Sequence, residues 1–129
     1  MSFADDMQAR LHALAMACVK FARGLPCTDE AREWGGQLRR ASTAASAIYR
    51  ASRRGKSKPD WLDKIADTVE ELDECDEWVS VIEDAALGPA PKELRSEARE
   101  LRAILAKSLA TGRANERRRK EHSKRRPVT

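Results

Sequence analysis

Four stretches of the chain carry apolar side chains at alternating spacings of four and three residues, and segments containing Gly or Pro separate them. This spacing places the apolar side chains of each stretch along one side of an α-helix. The four stripes run from Met7 to Leu25, from Trp34 to Ser52, from Trp61 to Ala86 and from Leu94 to Leu109. Four amphipathic helices joined by short loops predict an all-α, up-down-up-down antiparallel four-helix bundle.

Capping and breaking residues predict where these helices begin and end. The predicted boundaries are Asp5 and Arg23 for the first helix, Thr28 as N-cap of the second, Ser57 as N-cap of the third, Gly88 as the end of the third, and Pro91 and Gly112 as the ends of the fourth. We therefore predict a bundle over residues 1–112 and a basic tail over residues 113–129, with the alternative that the tail extends the fourth helix.

The composition favours long helices and a thin core. Apolar residues make up 41% of the chain and charged residues 36%, whereas aromatic residues make up only 5%, which argues against a β domain. Many positions in the stripes are Ala, so each helix buries little apolar surface. We expect subunit association, as a homo-oligomer, to supply part of the missing burial.

Several classes of protein are not expected from this sequence. It has no apolar run long enough for a membrane-spanning helix, and Asp5 and Asp6 argue against a signal peptide, so we expect a cytoplasmic protein without a membrane partner. Cys18, Cys27 and Cys75 lack the clustering with His that zinc ligation needs. We expect no metal site and no cofactor.

The sequence also offers no catalytic residues. His12 is the only histidine in the helical stripes, and its position next to Leu11 predicts a solvent-facing side chain. Ser42 on the second helix has no positioned base, and Gly35-Gly36 lacks the Lys and the spacing of a phosphate loop. We therefore expect that the protein is not an enzyme.

Basic residues are concentrated in two segments. The second helix and the loop after it, from Gln37 to Lys58, contain no acidic residue, and the tail from Arg113 to Arg126 holds eight basic and two acidic residues, a net charge of +6. Because clustered Lys and Arg bind phosphates, we predict these residues as nucleic-acid contacts. They are Arg39, Arg40, Arg50, Arg53, Arg54, Lys56, Lys58, Arg117, Arg118, Arg119, Lys120, Lys124, Arg125 and Arg126.

No aromatic residue is interleaved with the charges of the tail, so the tail sequence offers no base stacking and predicts non-specific binding. A solubilising end without a ligand is the alternative for the tail. The formal charge of the whole chain is +4, which leaves the predicted bundle slightly acidic without the tail.

The third helix, in contrast, is strongly acidic. From Asp60 to Asp84 it carries eleven acidic residues against the single Lys64. One interpretation is a solvated face that also pairs with the basic second helix. A second is recognition between subunits, with the acidic helix of one copy on the basic helix of another. A metal site at Asp73, Glu74, Asp76 and Glu77 is a third, which lacks the Glu-x-x-His pairs of bundle metal sites.

Several motifs resemble the four helix bundle protein family encoded in intervening sequences of 23S ribosomal RNA. They are Leu25-Pro26, the segment Gln37-Leu38-Arg39-Arg40-Ala41-Ser42, Ala45 to Ile48, the turn from Arg53 to Lys58, Trp61, and Glu70-Glu71-Leu72 with Glu74. The resemblance covers roughly residues 7–110. The chain departs from it at Ala47-Ile48-Tyr49-Arg50-Ala51, where the family commonly has Asn-Ile-Ala-Glu-Gly.

The resemblance implies a homo-oligomer in the form of a pentameric barrel with a central channel. The accessory proteins of diversity-generating retroelements look similar, and that likeness implies binding to a reverse transcriptase and to nucleic acid through a positively charged surface. The leading hypothesis is thus a non-enzymatic, homo-oligomeric accessory protein that binds RNA or DNA. The alternative is a protein-interaction scaffold to which the basic tail is incidental.

Overall fold

A computed structural model describes residues 1–127, and the four predicted helices are all present in this range. They are α1 (Phe3–Arg23), α2 (Asp29–Ser52), α3 (Lys58–Asp84) and α4 (Lys92–Arg125). Residues 1–127 contain no strand. The last two positions of the predicted tail, 128 and 129, lie outside the described residues.

Side-chain caps fix the starts of the first three helices. The Thr28 hydroxyl accepts a hydrogen bond from the Ala31 backbone N–H, and Ser57 caps α3 in the same way, as the sequence predicts. At the start of α1, Ser2 and Asp5 form a capping box in which each side chain accepts from the other residue's backbone N–H. With this cap, α1 begins at Phe3, before the predicted start at Asp5.

The helices form a bundle in which each helix has two neighbours. α1 packs against α2, α2 against α3 and α3 against α4, while α4 closes the bundle with a looser contact against α1. Arg53 at the end of α2 binds Asp5 at the start of α1, 2.8 Å away, as antiparallel neighbours allow. Along residues 1–127, none of the helices has an apolar stretch of the length that a bilayer crossing requires.

The core consists of the predicted stripes. Leu11, Leu38, Leu72 and Leu101, one from each helix, are essentially inaccessible to solvent. The other buried stripe residues are Met7, Leu14, Cys18, Ala41, Ala45, Ile65, Cys75, Val79, Ile82, Leu94, Ala98, Leu105 and Leu109. Three of these core residues are Ala and not a larger apolar residue, so the core is thin, as the sequence predicts.

The buried face of α2 is wider than its predicted stripe. α2 lies between α1 and α3, and its buried residues include Ser42 and Tyr49, whereas the predicted core residue Ile48 is only half-buried. The Ser42 hydroxyl donates to the Arg39 carbonyl at 3.2 Å, so its burial leaves no polar group unpaired. Gly35 is also buried, facing Ala22 of α1.

α3 ends before the last residue of its predicted stripe. Ala86 is exposed and has a φ of 59°, in the left-handed region. Its N–H donates to the Glu83 carbonyl at 2.9 Å, and the Leu87 N–H donates to the Ile82 carbonyl at 3.1 Å. These two bonds close the helix as a Schellman motif with Ala where Gly is usual. The prediction that Ala86 belongs to the apolar face of the third helix is wrong.

α4 does not stop at Gly112 but continues to Arg125. Gly112 is buried against α3, where a Cβ would lie 2.9 Å from the Trp61 ring and 2.8 Å from a Leu62 methyl. The absence of a side chain at this position therefore allows α3 and α4 to approach closely. The glycine serves helix packing rather than helix termination.

The thiols of Cys18 and Cys75 meet in the core, from α1 and α3. Hydrogen bonding to the Cys18 thiol and burial raise the pKa of Cys75 well above its ordinary value. Among the described residues, no Cα of α1 lies within 8 Å of a Cα of α3. A disulfide requires Cα atoms closer than about 7 Å, so these two cysteines act as core residues.

Candidate nucleic-acid interface

Two basic segments that are distant in sequence lie at the same end of the bundle. α3 begins at this end, directly after the loop from Arg53 to Lys58, and α4 leaves the bundle here. Lys58 and Asn115 of α4 line one shared cavity, which places the loop beside the root of the tail. We call the residues of the loop, 53–58, together with residues 113–126, the basic end.

The tail part of the basic end is a helix that projects from the bundle. Every residue from Arg117 to Arg126 is exposed. At 1.5 Å per residue, the helical part of this segment extends about 13 Å beyond the body. Arg113, Arg117, Lys120 and Lys124 recur at spacings of four, three and four residues, so they lie along one side of the helix.

Some basic residues of the basic end form ion pairs with carboxylates of the chain, and others do not. Arg53 donates to Asp5 and to Gln8, and Arg119 pairs with the buried Glu116 at 2.7 Å. That ion pair lowers the pKa of Glu116 below its ordinary value. Ten exposed basic residues have no carboxylate within 4.0 Å of their charged nitrogens among the described residues: Arg54, Lys56, Lys58, Arg113, Arg117, Arg118, Lys120, Lys124, Arg125 and Arg126.

Arg39 and Arg40, two of the predicted contacts on the body of α2, lie away from the basic end. Arg40 is thirteen positions before Arg53, which corresponds to about 20 Å along a helix. Its guanidinium donates to Glu71 at 2.8 Å and to Glu74 at 2.6 Å on α3. The structure therefore assigns Arg40 partners within the chain and leaves Arg39 exposed beside it, whereas the exposed Arg50 lies about one helical turn before Arg53 and so close to the basic end.

Acidic residues of α3 are paired on both sides within the chain. Besides Glu71 and Glu74 towards α2, Asp76 accepts from Arg95 at 2.7 Å and from Arg99 at 3.0 Å on α4. These pairs agree with the interpretation of a helix that pairs with its neighbours, and they add α4 as a partner beside the predicted α2. Within residues 1–127, no group of three or more His, Cys, Asp and Glu side chains is arranged to hold a metal ion.

Asp76 is largely buried and accepts hydrogen bonds from two guanidinium groups, and burial and these bonds shift its pKa in opposite directions. Its side chain is 14% exposed, and burial raises its pKa. The hydrogen bonds and charges of Arg95 and Arg99 outweigh burial, so that the pKa lies below the ordinary value of 3.8. Asp76 is thus ionised at neutral pH and ties α3 to α4.

Aromatic rings also lie at the basic end, a feature that was not predicted from the tail sequence. Phe3, the first residue of α1, is 56% exposed, and Trp61 of α3 lies in the same cavity beside Lys58. The Lys58 ammonium lies 4.3 Å from the centre of the Trp61 ring. Of these features, only the contact between Lys58 and Trp61 could be expected from local spacing, since positions three apart on a helix are neighbours.

A second, larger cavity lies between α1 and α4, at the end of the bundle opposite the basic end. It has a volume of about 880 Å³ and is mainly apolar. Leu14, Phe21 and Leu25 of the α1 side and Leu87 and Leu94 of the α4 side line it. Next to it, Met16 of α1 is 52% exposed.

Comparison of the chain with family models, with curated proteins and with solved structures finds no match.

Proposed function

We propose that this protein is a non-enzymatic accessory protein that binds the phosphates of RNA or DNA through its basic end. The observation that carries the proposal is the meeting of residues 53–58 and 113–126 at one end of the bundle, with ten cations that have no carboxylate partner within 4.0 Å among the described residues. Such cations release counterions from nucleic acid on binding. Arg40, whose charge is met by Glu71 and Glu74, makes a minor contribution.

The salt dependence of binding tests this proposal. If about six of these ten cations each neutralise a phosphate, the logarithm of the affinity for duplex DNA falls with the logarithm of salt concentration with a slope of about −5. The measurement is fluorescence anisotropy of a labelled 20-base-pair duplex between about 50 and 200 mM salt. Absence of binding at about 50 mM salt would contradict the proposal.

Two matched triple variants locate the binding surface. In the first, Arg117, Lys120 and Lys124 are changed to Gln. In the second, three exposed cations at the other end of the bundle, Lys20, Arg23 and Lys92, are changed to Gln. The first variant is expected to reduce the slope by about 3, and the second by less than about 1. Equal effects of the two variants would show that net charge, not the basic end, governs binding.

We further propose that the protein works as a homo-oligomer. The support from this chain is the apolar surface of α1, where Ala13, Met16 and Ala17 are exposed next to the 880 Å³ cavity. The pentamer, the membership of the ribosomal intervening-sequence family and the reverse transcriptase as a partner are proposals that rest on the resemblance alone. Sedimentation equilibrium measures the subunit number, and Met16→Glu is expected to lower it. A monomeric wild type would contradict this part.

The apolar cavity favours one second candidate, a protein-interaction scaffold. Cavities of this size and character accept apolar side chains of a partner. The triple variant of Arg117, Lys120 and Lys124 separates the two functions, because a scaffold keeps its protein partner when the affinity for nucleic acid is lost. If a partner reverse transcriptase is lost together with the nucleic acid, the scaffold candidate is excluded.

A further inference from the structure

We propose that the cavity at the root of the tail holds an unpaired base of single-stranded nucleic acid, which would give the protein a preference for single strands over duplexes. This inference rests on the proposed function, because phosphate contacts at the basic end would bring the strand to the cavity. The cavity has a volume of about 450 Å³ and lies between Phe3 of α1, Trp61 of α3 and the α4 segment from Ile104 to Asn115.

The exposed ring of Phe3 offers a surface on which a base can stack. More than half of its surface, 56%, is open to solvent, although Phe is usually buried. The other largely exposed apolar side chains, Met1 and Met16, offer no π-system. A base that stacks on Phe3 would cover this surface, and stacking on aromatic side chains is how proteins hold single strands without reading their sequence.

The wall of the cavity is formed before any ligand binds. Gly112 has no side chain, so the Trp61 ring can rest against α4, and Lys58 covers one face of that ring at 4.3 Å. A base entering the cavity would therefore not have to order these groups, which favours binding.

The charge and the hydrogen-bonding groups of the rim also suit a nucleotide. Lys58 and Lys107 lie on the rim and can meet the phosphates on either side of a bound base. Thr111 and Asn115 place a hydroxyl and an amide at the same cavity, so donors and acceptors are present for a base edge. Duplex DNA or RNA cannot use this site, because its bases are paired and stacked. The arrangement thus distinguishes a single strand from a duplex.

The test compares a labelled 12-nucleotide single-stranded RNA with the duplex of the same sequence, by anisotropy at about 50 mM salt. Phe3→Ala is expected to weaken single-strand binding at least about fivefold, the lower end for loss of one stacked base, and duplex binding less than twofold. Cys27→Ala, which removes an exposed side chain at the opposite end of the bundle, is the control and is expected to change neither. Phe3→Tyr keeps the ring and is expected to keep the affinity.

The outcomes separate this inference from the proposed function. If the wild type binds both nucleic acids but Phe3→Ala binds the single strand as well as the wild type does, the cavity holds no base and only the proposed function survives. The same holds if Phe3→Ala weakens both nucleic acids equally. If the wild type binds neither, both proposals fail.

A second measurement does not depend on the tail. Adenosine monophosphate is expected to quench Trp61 fluorescence in a saturable way, measured as the difference between the wild type and Trp61→Phe. Ribose 5-phosphate, which carries the same charge without the base, is expected to have no effect. Equal quenching by the two probes, or quenching by neither, would overturn the inference.

Discussion

Replacing Gly112 by Ala tests whether close packing, and not helix termination, explains this glycine. In an exposed helix interior, Gly→Ala raises the free energy of unfolding by about 1 kcal/mol, because Ala loses less conformational freedom on folding. At Gly112 the new Cβ would lie 2.9 Å from the Trp61 ring and 2.8 Å from a Leu62 methyl, which is closer than carbon atoms can approach.

The size of the effect follows from these two opposing terms. The Leu62 methyl can turn aside, but the Trp61 ring lies between Lys58 and α4 and must shift. Insertion of a methyl group into a packed site costs about 1 to 3 kcal/mol. After subtraction of the gain in helix propensity, the free energy of unfolding is expected to fall by about 0 to 2 kcal/mol.

Gly36→Ala supplies the matched control. Gly36 lies inside α2, and the nearest atom to its added Cβ is a guanidinium nitrogen of Arg39 at 3.7 Å, an ordinary contact. This variant is expected to gain the full 1 kcal/mol or so of helix propensity. The two variants should therefore differ by about 1 to 3 kcal/mol, a difference that isolates the steric cost at Gly112 because the propensity gain is common to both.

Urea unfolding followed by circular dichroism at 222 nm measures both variants against the wild type. Thermal unfolding should separate their Tm values by roughly 4 °C for each kcal/mol. If Gly112→Ala stabilises the protein as much as Gly36→Ala does, the close approach of α3 and α4 at this point is wrong. The geometry of the proposed base cavity, which Gly112 helps to form, would then be wrong too.

Three further variants or treatments test other parts of the structure. Ala86→Gly should raise the free energy of unfolding by about 1 kcal/mol, because Ala in the left-handed region costs that much; Ala85→Gly, at a φ of −80°, should give no gain. Asp76→Asn should lower the free energy of unfolding at pH 7 by about 1 to 3 kcal/mol, through loss of two charge-assisted hydrogen bonds. Since the folded pKa of Asp76 lies below the unfolded value of 3.8, its contribution is present above that pH and is lost as the pH falls through the folded pKa. Urea titrations at pH 7 and pH 3 should therefore show a gap between wild type and Asp76→Asn that narrows in acid, and a constant gap would contradict the pairing. Diamide treatment should produce no disulfide between Cys18 and Cys75, and a crosslinked peptide of the two in mass spectrometry would contradict the helix positions.

The bundle could be predicted from the sequence because its signals are local. Leu11, Leu38, Leu72 and Leu101 lie in stripes whose helical spacing already defines a buried face, and the Thr28 and Ser57 caps act within three residues. The Schellman motif at Ala86 escaped prediction since its signature is usually Gly, and the backbone here adopts the left-handed conformation without one.

Features that depend on contacts between helices were harder to predict. Gly112 looks like a helix end by sequence, and only the approach of Trp61 explains it as a packing position. By sequence, Arg40 could only be grouped with the other cations of α2. Its ion pairs with Glu71 and Glu74 depend on the register of α2 against α3. Phe3 lies more than 50 residues from Trp61 in the chain, so no local pattern could place both at the basic end.

The direction of α4 has a consequence for any anion that approaches its tip. The helix reaches Arg125 with its carboxyl end, where the helix dipole places a partial negative charge on the last backbone carbonyls. Unlike a helix amino end, this tip offers a phosphate no backbone donors and would repel it if left bare. Attraction of an anion must therefore come entirely from side chains, and a tip whose lysines and arginines are replaced by neutral residues should repel an anion.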